Sequence, residues 1–194
     1  LEEKIHGPEV SVFALCDGEK YILLPTAQDH KRLYESDKGP NTGGMGAYSP
    51  APLLTEDHLD TIIKDIIKPT INELNKKNID YRGVIYFGLM LTKSGPKVIE
   101  YNCRFGDPEC QTIMPLMDQN FLLLLEKCAM GKLIGNEKID SFDKVSGCVI
   151  ATSKGYPHEF KTGFPIKIGN VDSTDFQIFD SGTCFGKNGE LITN

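Results

Sequence analysis

The residues with the most chemistry to offer sit in Val98-Ile-Glu-Tyr-Asn-Cys-Arg-Phe-Gly-Asp-Pro-Glu109. On an extended strand alternate residues share a face. Val98, Glu100, Asn102 and Arg104 are therefore expected on one side, and Ile99, Tyr101, Cys103 and Phe105 on the other. Glu100 and Asn102 would stand about 6.6 Å apart, two strand rises of about 3.3 Å. Both present hard side-chain oxygens. Mg²⁺ takes one or two protein carboxylates and fills its other positions with substrate phosphates and water. Arg104, next on that face, can fork onto a phosphoryl oxygen. Glu-x-Asn alone would also suit the solvated face of an ordinary amphipathic strand. The ending separates the two possibilities: Gly106-Asp107-Pro108-Glu109 stops the strand in a tight polar turn with two further carboxylates.

A second cluster lies upstream. Gln28-Asp-His-Lys-Arg32 packs an acid, an imidazole and two cations into five residues, and Pro40-Asn-Thr-Gly-Gly-Met-Gly46 follows. Gly43, Gly44 and Gly46 would let backbone N–H groups approach an anion closely and form a nest. The chain has neither the G-x-x-x-x-G-K-[ST] phosphate loop nor the G-x-G-x-x-G dinucleotide fingerprint. A mobile surface loop with a solvated charge run is the plain alternative. His30 alone is a poor catalytic candidate, and His6, His58 and His158 are expected at the surface. Glu2-Glu-Lys-Ile-His-Gly-Pro-Glu9, taken alone, reads as an acidic surface segment.

These clusters need elements to hold them. Val10–Cys16 and Tyr21–Leu24 flank Asp17-Gly18, a strong hairpin signal. Pro25 to Pro52 reads as one long loop, of a length that is usually functional or disordered. Thr55-Glu-Asp57 supplies a helix cap and first-turn acids. Leu59, Ile62, Ile63, Ile66, Ile67, Thr70, Ile71 and Leu74 then recur at helical spacing, with Pro69 expected to kink or split the helix. Val84–Thr92 and Pro96–Cys103 read as strands joined by a Lys-Ser-Gly turn. Asn120–Met130 reads as a helix stopped by Gly131. The fold class is α+β with antiparallel strands. Residues 1–132 form the first domain, 133–144 a polar linker and 145–194 the start of a smaller mixed α/β domain.

Composition narrows the classes. The chain has 194 residues, 40% hydrophobic and 25% charged, values of an ordinary globular protein. Lysine and arginine total 21 against 27 acids, a net charge of −6. That argues against nucleic acid and against a polybasic membrane anchor as partners. The longest apolar run, Phe121–Leu125, is far too short to span a bilayer. Six cysteines without C-x-x-C spacing read as reduced core or near-core thiols of a cytoplasmic protein.

Ala27-Gln-Asp-His-Lys-Arg32, Gly39-Pro-Asn-Thr-Gly-Gly-Met-Gly-Ala-Tyr48 and Glu100-Tyr-Asn-Cys-Arg-Phe-Gly-Asp-Pro-Glu109 together resemble the glycinamide ribonucleotide synthetase (phosphoribosylamine–glycine ligase) family of the ATP-grasp superfamily. The resemblance is dense to about residue 131 and thins afterwards, with Ala151-Thr-Ser-Lys-Gly-Tyr-Pro157 similar to the start of the family's C-terminal domain. It implies an ATP-grasp fold, of which residues 1–132 would be the C-terminal portion. It implies an ADP-forming ligase of purine biosynthesis that joins glycine to phosphoribosylamine through a glycyl phosphate. The implied cofactors are ATP and Mg²⁺ or Mn²⁺, with Glu100 and Asn102 as the metal pair. Glu2, Glu3, Lys4 and Ile5 fall on the adenine side, and Glu9 on the acid expected to hold the ribose hydroxyls. On charge grounds Arg104 is the catalytic candidate that would neutralise the transferring phosphoryl group, with Lys31 as helper, and Asp29 and Asp107 are candidates to grip an amine or a ribose hydroxyl. Arg32, Asn41, Thr42, Gly43, Gly44 and Gly46 would bind substrate, the loop closing over the acyl phosphate.

Another ATP-grasp carboxylate–amine ligase, or a nucleotide-sensing module with a dead site, are the alternatives. Intact Glu100, Asn102 and Arg104 speak against the second. The resemblance leans toward the animal form fused downstream to other purine enzymes, a multifunctional protein. Leu1 in place of Met, and an ending in a hairpin arm, lead us to expect a piece of a longer enzyme, inactive alone.

Overall fold

The structure, a computed structural model, describes residues 3–36, 38–117, 120–135, 144–169 and 176–194. The strands are β1 (Glu9–Asp17), β2 (Tyr21–Leu23), β3 (Gln28–Asp29), β4 (Arg32–Tyr34), β5 (Lys38–Asn41), β6 (Gly46–Ser49), β7 (Arg82–Thr92), β8 (Gly95–Asn102), β9 (Ser146–Val149), β10 (Thr183–Phe185) and β11 (Leu191–Thr193). The helices are α1 (Glu56–Ile62), α2 (Lys68–Lys76), α3 (Glu109–Ile113) and α4 (Phe121–Ala129). The chain divides into two compact units, Leu1–Val149 and Ile150–Asn194.

The first unit is built on an antiparallel sheet in the order β2-β1-β7-β8. Period-two alternation explains why β1 is apolar almost throughout. Val10, Val12, Ala14 and Cys16 pack with Ile62, Ile67, Ile71, Phe87 and Leu89 under α1 and α2. Phe13 and Leu15 pack the other way, with Tyr86, Ile113, Phe121, Leu124 and Leu133 under α3 and α4. The sheet is thus covered on both faces. Thr55 caps α1 as its sequence promised: its Oγ1 accepts the His58 N–H at 3.2 Å, and His58 Nδ1 accepts the Thr55 N–H. Pro69 splits the helix as expected. It cannot donate to the carbonyl four residues back, and Ile63–Ile67 form a π-helical turn between α1 and α2.

Three expectations are corrected. The Pro25–Pro52 segment is not one loop. It carries β3 and β6, which join β9 in a three-stranded sheet, and the small hairpin β4–β5. The strand expected to open the second domain at residue 145 is β9; it pairs with β6 and lies in the first unit. Cys103 is exposed, unlike the buried Cys16 and Cys128; all six cysteines are free thiols. Burial pushes the Cys16 thiol up to about 12. Most of the expected linker, residues 136–143, lies outside the described residues. In the second unit, β10 and β11 form a hairpin extended by a bridge between Pro165 and Ile192.

Candidate functional site

A cleft of about 220 Å³ opens on the α3 side of the sheet. Its floor is Tyr86 of β7 with Glu100 and Asn102 of β8. One wall comes from the turn after β8, with Arg104, Gly106, Asp107 and Glu109; the other comes from the upstream segment, with Asp29, Lys31, Asn41 and Gly43. Residues separated by up to 80 positions thus meet in one place, and both sequence clusters contribute.

The floor depends on an irregularity. Glu100 pairs with Gly88 and Asn102 with Tyr86, so the two donors share a face. Between Gly88 and Leu89 the register shifts, and Val98 pairs with Leu89. Ile99 is the extra residue of a β-bulge. Val98, expected beside Glu100, therefore turns into the core under α1 and α2. Tyr101 takes that opposite face too, edge-on to Phe87 with ring centroids 5.5 Å apart.

Past Asn102 the strand is pinned by Phe105, which packs against Phe13 and Phe121. Arg104 stays exposed, with Nη1 donating to the Phe105 carbonyl at 2.7 Å. Asp107 is exposed and accepts a bond from Gln111 Nε2 at 2.8 Å. Glu109 is 2% exposed. Ser11 Oγ donates to its Oε1 at 2.9 Å, and Ser11 Oγ lies 3.0 Å from the Tyr86 hydroxyl. Gly106 is required here, because a Cβ would collide with the Glu109 carboxylate.

The upstream wall is ordered by its own polar groups. Thr42 donates both N–H and Oγ1–H to the Lys31 carbonyl, at 2.8 and 2.9 Å. Gly43 N–H donates to Asn41 Oδ1, and Gly44 N–H to Thr42 Oγ1. Those two amides are engaged by side chains, where the sequence led us to expect an open nest. Gly44, at φ +121°, lies against Pro108, Asp29 and the Asp107 carbonyl, so the glycine loop is seated on the turn.

Charge is concentrated at one corner. Lys31 Nζ pairs with Glu9 Oε2 at 3.2 Å. Burial pulls the Lys31 amine down, but the Glu9 carboxylate, with Glu100 and Asp29, outweighs it, and the net direction is up. Asp29 Oδ1 is buried with no hydrogen-bond partner among the described residues. Burial first, and then Glu109 nearby, push the Asp29 carboxyl up to about 7, against the pull of Lys31. Burial and then Glu109 push the Tyr86 hydroxyl up as well.

Other expected site residues lie elsewhere. Arg32 is exposed and donates to the Gly39 carbonyl at 2.9 Å. Gly46 lies in β6, where a Cβ would press on the Cys148 carbonyl, so its smallness serves strand pairing. Glu3 pairs with Lys97 at 2.7 Å in the open, Lys4 is exposed and Ile5 is half-buried. Glu2 lies outside the described residues. Sequence reasoning missed Ser11, Tyr86 and the depth of Glu109. The first two sit in runs that read as plain core strand. Among the described residues no group of three or more His, Cys, Asp or Glu could hold a metal.

The family model for the phosphoribosylglycinamide synthetase ATP-grasp (A) domain matches residues 1–110. A phosphoribosylamine–glycine ligase of Caldanaerobacter subterraneus is 47% identical over 194 residues, all of this chain and 46% of that protein. The trifunctional purine biosynthetic protein adenosine-3 of Gallus gallus is 43% identical over 195 residues, all of this chain and 19% of that protein. These identities do not single out the fused form. The crystal structure of the phosphoribosylamine–glycine ligase from Thermotoga maritima superimposes with a TM-score of 0.85 at 31% identity, covering all of this chain and 47% of that one. The chain thus spans about half the length of the ligases it matches. With the family model over more than half of its residues, and an ATP-grasp ligase matching its whole length in three dimensions, the chain belongs to the phosphoribosylglycinamide synthetase ATP-grasp family.

Proposed function

We propose that this chain works within an ATP-dependent ligase that joins glycine to phosphoribosylamine. The carrying observation is that Glu100, Asn102 and Arg104 open on one cleft with Asp29 and Lys31, in a chain of this family. The glycine carboxylate attacks the γ-phosphorus of ATP and ADP leaves, giving glycyl phosphate. The phosphoribosylamine nitrogen then attacks the acyl carbon, loses a proton and expels phosphate, giving glycinamide ribonucleotide.

The donors at Glu100 and Asn102 fit Mg²⁺ or Mn²⁺: both are hard oxygens, and two protein ligands leave room for phosphates and water. A divalent ion there would neutralise charge on the phosphate oxygens during transfer. Arg104 supplies a planar fork for a phosphoryl oxygen, and its guanidinium donates to the adjacent Phe105 carbonyl. Lys31 stands among Glu9, Asp29 and Glu100 as their counter-charge. Asp29 and Asp107 face the cleft as acceptors for an amine or a hydroxyl. The Asn41–Gly44 loop covers the cleft from one side and excludes water, which would otherwise hydrolyse the acyl phosphate. Glu3, Lys4 and Ile5 would take the adenine side of the nucleotide and Glu9 its ribose hydroxyls.

No helix among the described residues is long and apolar enough to cross a membrane, which suits a cytoplasmic enzyme. In animals the same chain would be joined to further purine-synthesis domains, as the relative's name says of that protein. The test is ADP release by the family-length protein carrying this sequence, with glycine and phosphoribosylamine omitted in turn. Release that needs glycine, with product only when both are present, is expected. Turnover indifferent to glycine would refute the reading.

A further inference from the structure

Gly88 stands inside β7 in the run Val-Ile-Tyr-Phe-Gly-Leu-Met-Leu, a poor place for glycine on propensity grounds. A glycine in a strand interior weakens it and has no side chain to pack. Its φ lies outside the left-handed region, so the backbone does not demand glycine. What demands it is a neighbour. A Cβ at position 88 would lie 2.8 Å from Glu100 Cγ and 3.1 Å from Tyr86 Cε1. The Glu100 stem therefore lies across the bare backbone of residue 88, beside the Tyr86 ring.

The bulge explains how Glu100 comes to be there. At the turn, Gly95 pairs with Thr92 and Lys97 with Met90. Carried on without a bulge, that register would set Ile99 opposite Gly88 and Glu100 opposite Phe87. Phe87 is fully buried under α1 and α2. The extra residue at Ile99 shifts the pairing by one, and a shift of one exchanges faces. Glu100 then meets Gly88 on the cleft side.

We propose that Gly88 and the bulge at Ile99 are positioning residues for the Glu100 carboxylate: the bulge selects its face, and the missing Cβ lets its stem lie down so that the carboxylate meets the divalent ion beside Asn102. This rests on the proposed metal role of Glu100. Partners that orient a metal ligand are typically worth about 10–100-fold in metal affinity.

The test is Mn²⁺ binding in the presence of ATP, read by electron paramagnetic resonance on the family-length protein. Gly88→Ala should weaken binding about tenfold or more, whereas Gly147→Ala, at a strand glycine whose Cβ would meet the Ala47 carbonyl oxygen at an ordinary contact distance of 3.9 Å, should not. In a Glu100→Ala background, Gly88→Ala should cost nothing further. If Glu100→Ala weakens binding and Gly88→Ala does not, the positioning role is wrong and the metal role stands. If Glu100→Ala itself leaves binding unchanged, the metal role falls and this inference with it. Should Gly88→Ala fail to fold by circular dichroism, the double variant decides. Recovery of the fold without the Glu100 stem supports the proposal; continued failure overturns it, because glycine would then be serving the Tyr86 packing alone.

Discussion

The two ends of β1 carry similar side chains and do different things. At the Asp17 end a groove of about 750 Å³ is lined by Asp17, Lys20, Asp80 and Arg82 among others. It is larger than the cleft at the Glu9 end, yet its charges are spent on structure. Asp17 Oδ1 accepts the N–H groups of Glu19 and Lys20, and Oδ2 accepts that of Leu133. Lys20 Nζ donates to the Leu133 carbonyl. Arg82 donates to Asp80 and to the Ala129 carbonyl, near the end of α4. At the other end, among the described residues, Asp29 Oδ1 is buried without a hydrogen-bond partner and Arg104 donates to the carbonyl of its neighbour Phe105. Volume and charge do not separate a site from a surface. What separates them is whether the polar groups have already been satisfied by the fold.

Glu100→Ala should break this contrast most severely if the cleft is the working end. Losing one group that stabilises developing charge typically costs 10²–10³ in turnover, about 2.7–4 kcal/mol. The measurement is ADP release by the family-length protein at saturating Mg²⁺. Glu100 is exposed, so the melting temperature should barely move. A rate within twofold of the wild type would remove the distinction between the two ends.

Asp17→Ala should give the reverse pattern. It strands the Leu133 and Lys20 amides near a buried position, at a cost of about 1–3 kcal/mol for each group left without a partner. Urea denaturation should show the loss, while kcat stays within about twofold, inside the range of changes remote from a site. A large fall in kcat with unchanged stability would mean that the Asp17 groove takes part in the reaction.

Asp29 sharpens the comparison through pH. Its carboxyl is raised from an ordinary 3.8 to about 7, chiefly by burial and then by Glu109, with Lys31 opposing and Glu9 adding a little. A raised folded value means that the folded state holds the proton more tightly than the unfolded one. The group's contribution to stability is therefore full below about pH 4 and is lost as pH rises through about 7. Asp29→Asn carries no charge at any pH. Its melting temperature relative to the wild type should climb between pH 4 and 7 and then level. A difference that stays flat across that window would show that the carboxylate is not held out of water.

Much of this was legible in advance. Short strand-like runs marked β1, β7 and β8, and Asp17-Gly18 marked the β1–β2 hairpin. Chemistry in the Glu100–Glu109 run marked the site, because a strand that ends in Arg, Asp and Glu is not merely packing. Three things were hidden for physical reasons. A bulge at Ile99 leaves no mark in a period-two pattern, so Val98 was assigned the wrong face. The strands between Gln28 and Ser49 are two to four residues long, below the length at which alternation can be read. Ser11, Tyr86 and Glu109 join across 75 and 98 positions of sequence, and only tertiary packing brings such partners together.

Lys31 and Arg32 supply the smallest test and a demanding one. Adjacent cations look equivalent in sequence, yet neighbouring positions in an extended chain point opposite ways. Lys31 turns into the cleft and meets Glu9, while Arg32 turns out onto the β4–β5 hairpin and holds the Gly39 carbonyl. Lys31→Ala removes the counter-charge from Glu9, Asp29 and Glu100 together, and should lower kcat/KM by tenfold or more, about 1.4 kcal/mol. Arg32→Ala gives up one exposed hydrogen bond, and exposed changes of this kind usually stay within about 0.5 kcal/mol. Its kcat/KM for either substrate should therefore move by no more than about twofold. If Arg32→Ala instead raised the KM for phosphoribosylamine while leaving kcat intact, the β4–β5 hairpin would have to fold over the bound substrate and bring the guanidinium to it. The working end of the sheet would then extend beyond the cleft to the hairpin itself.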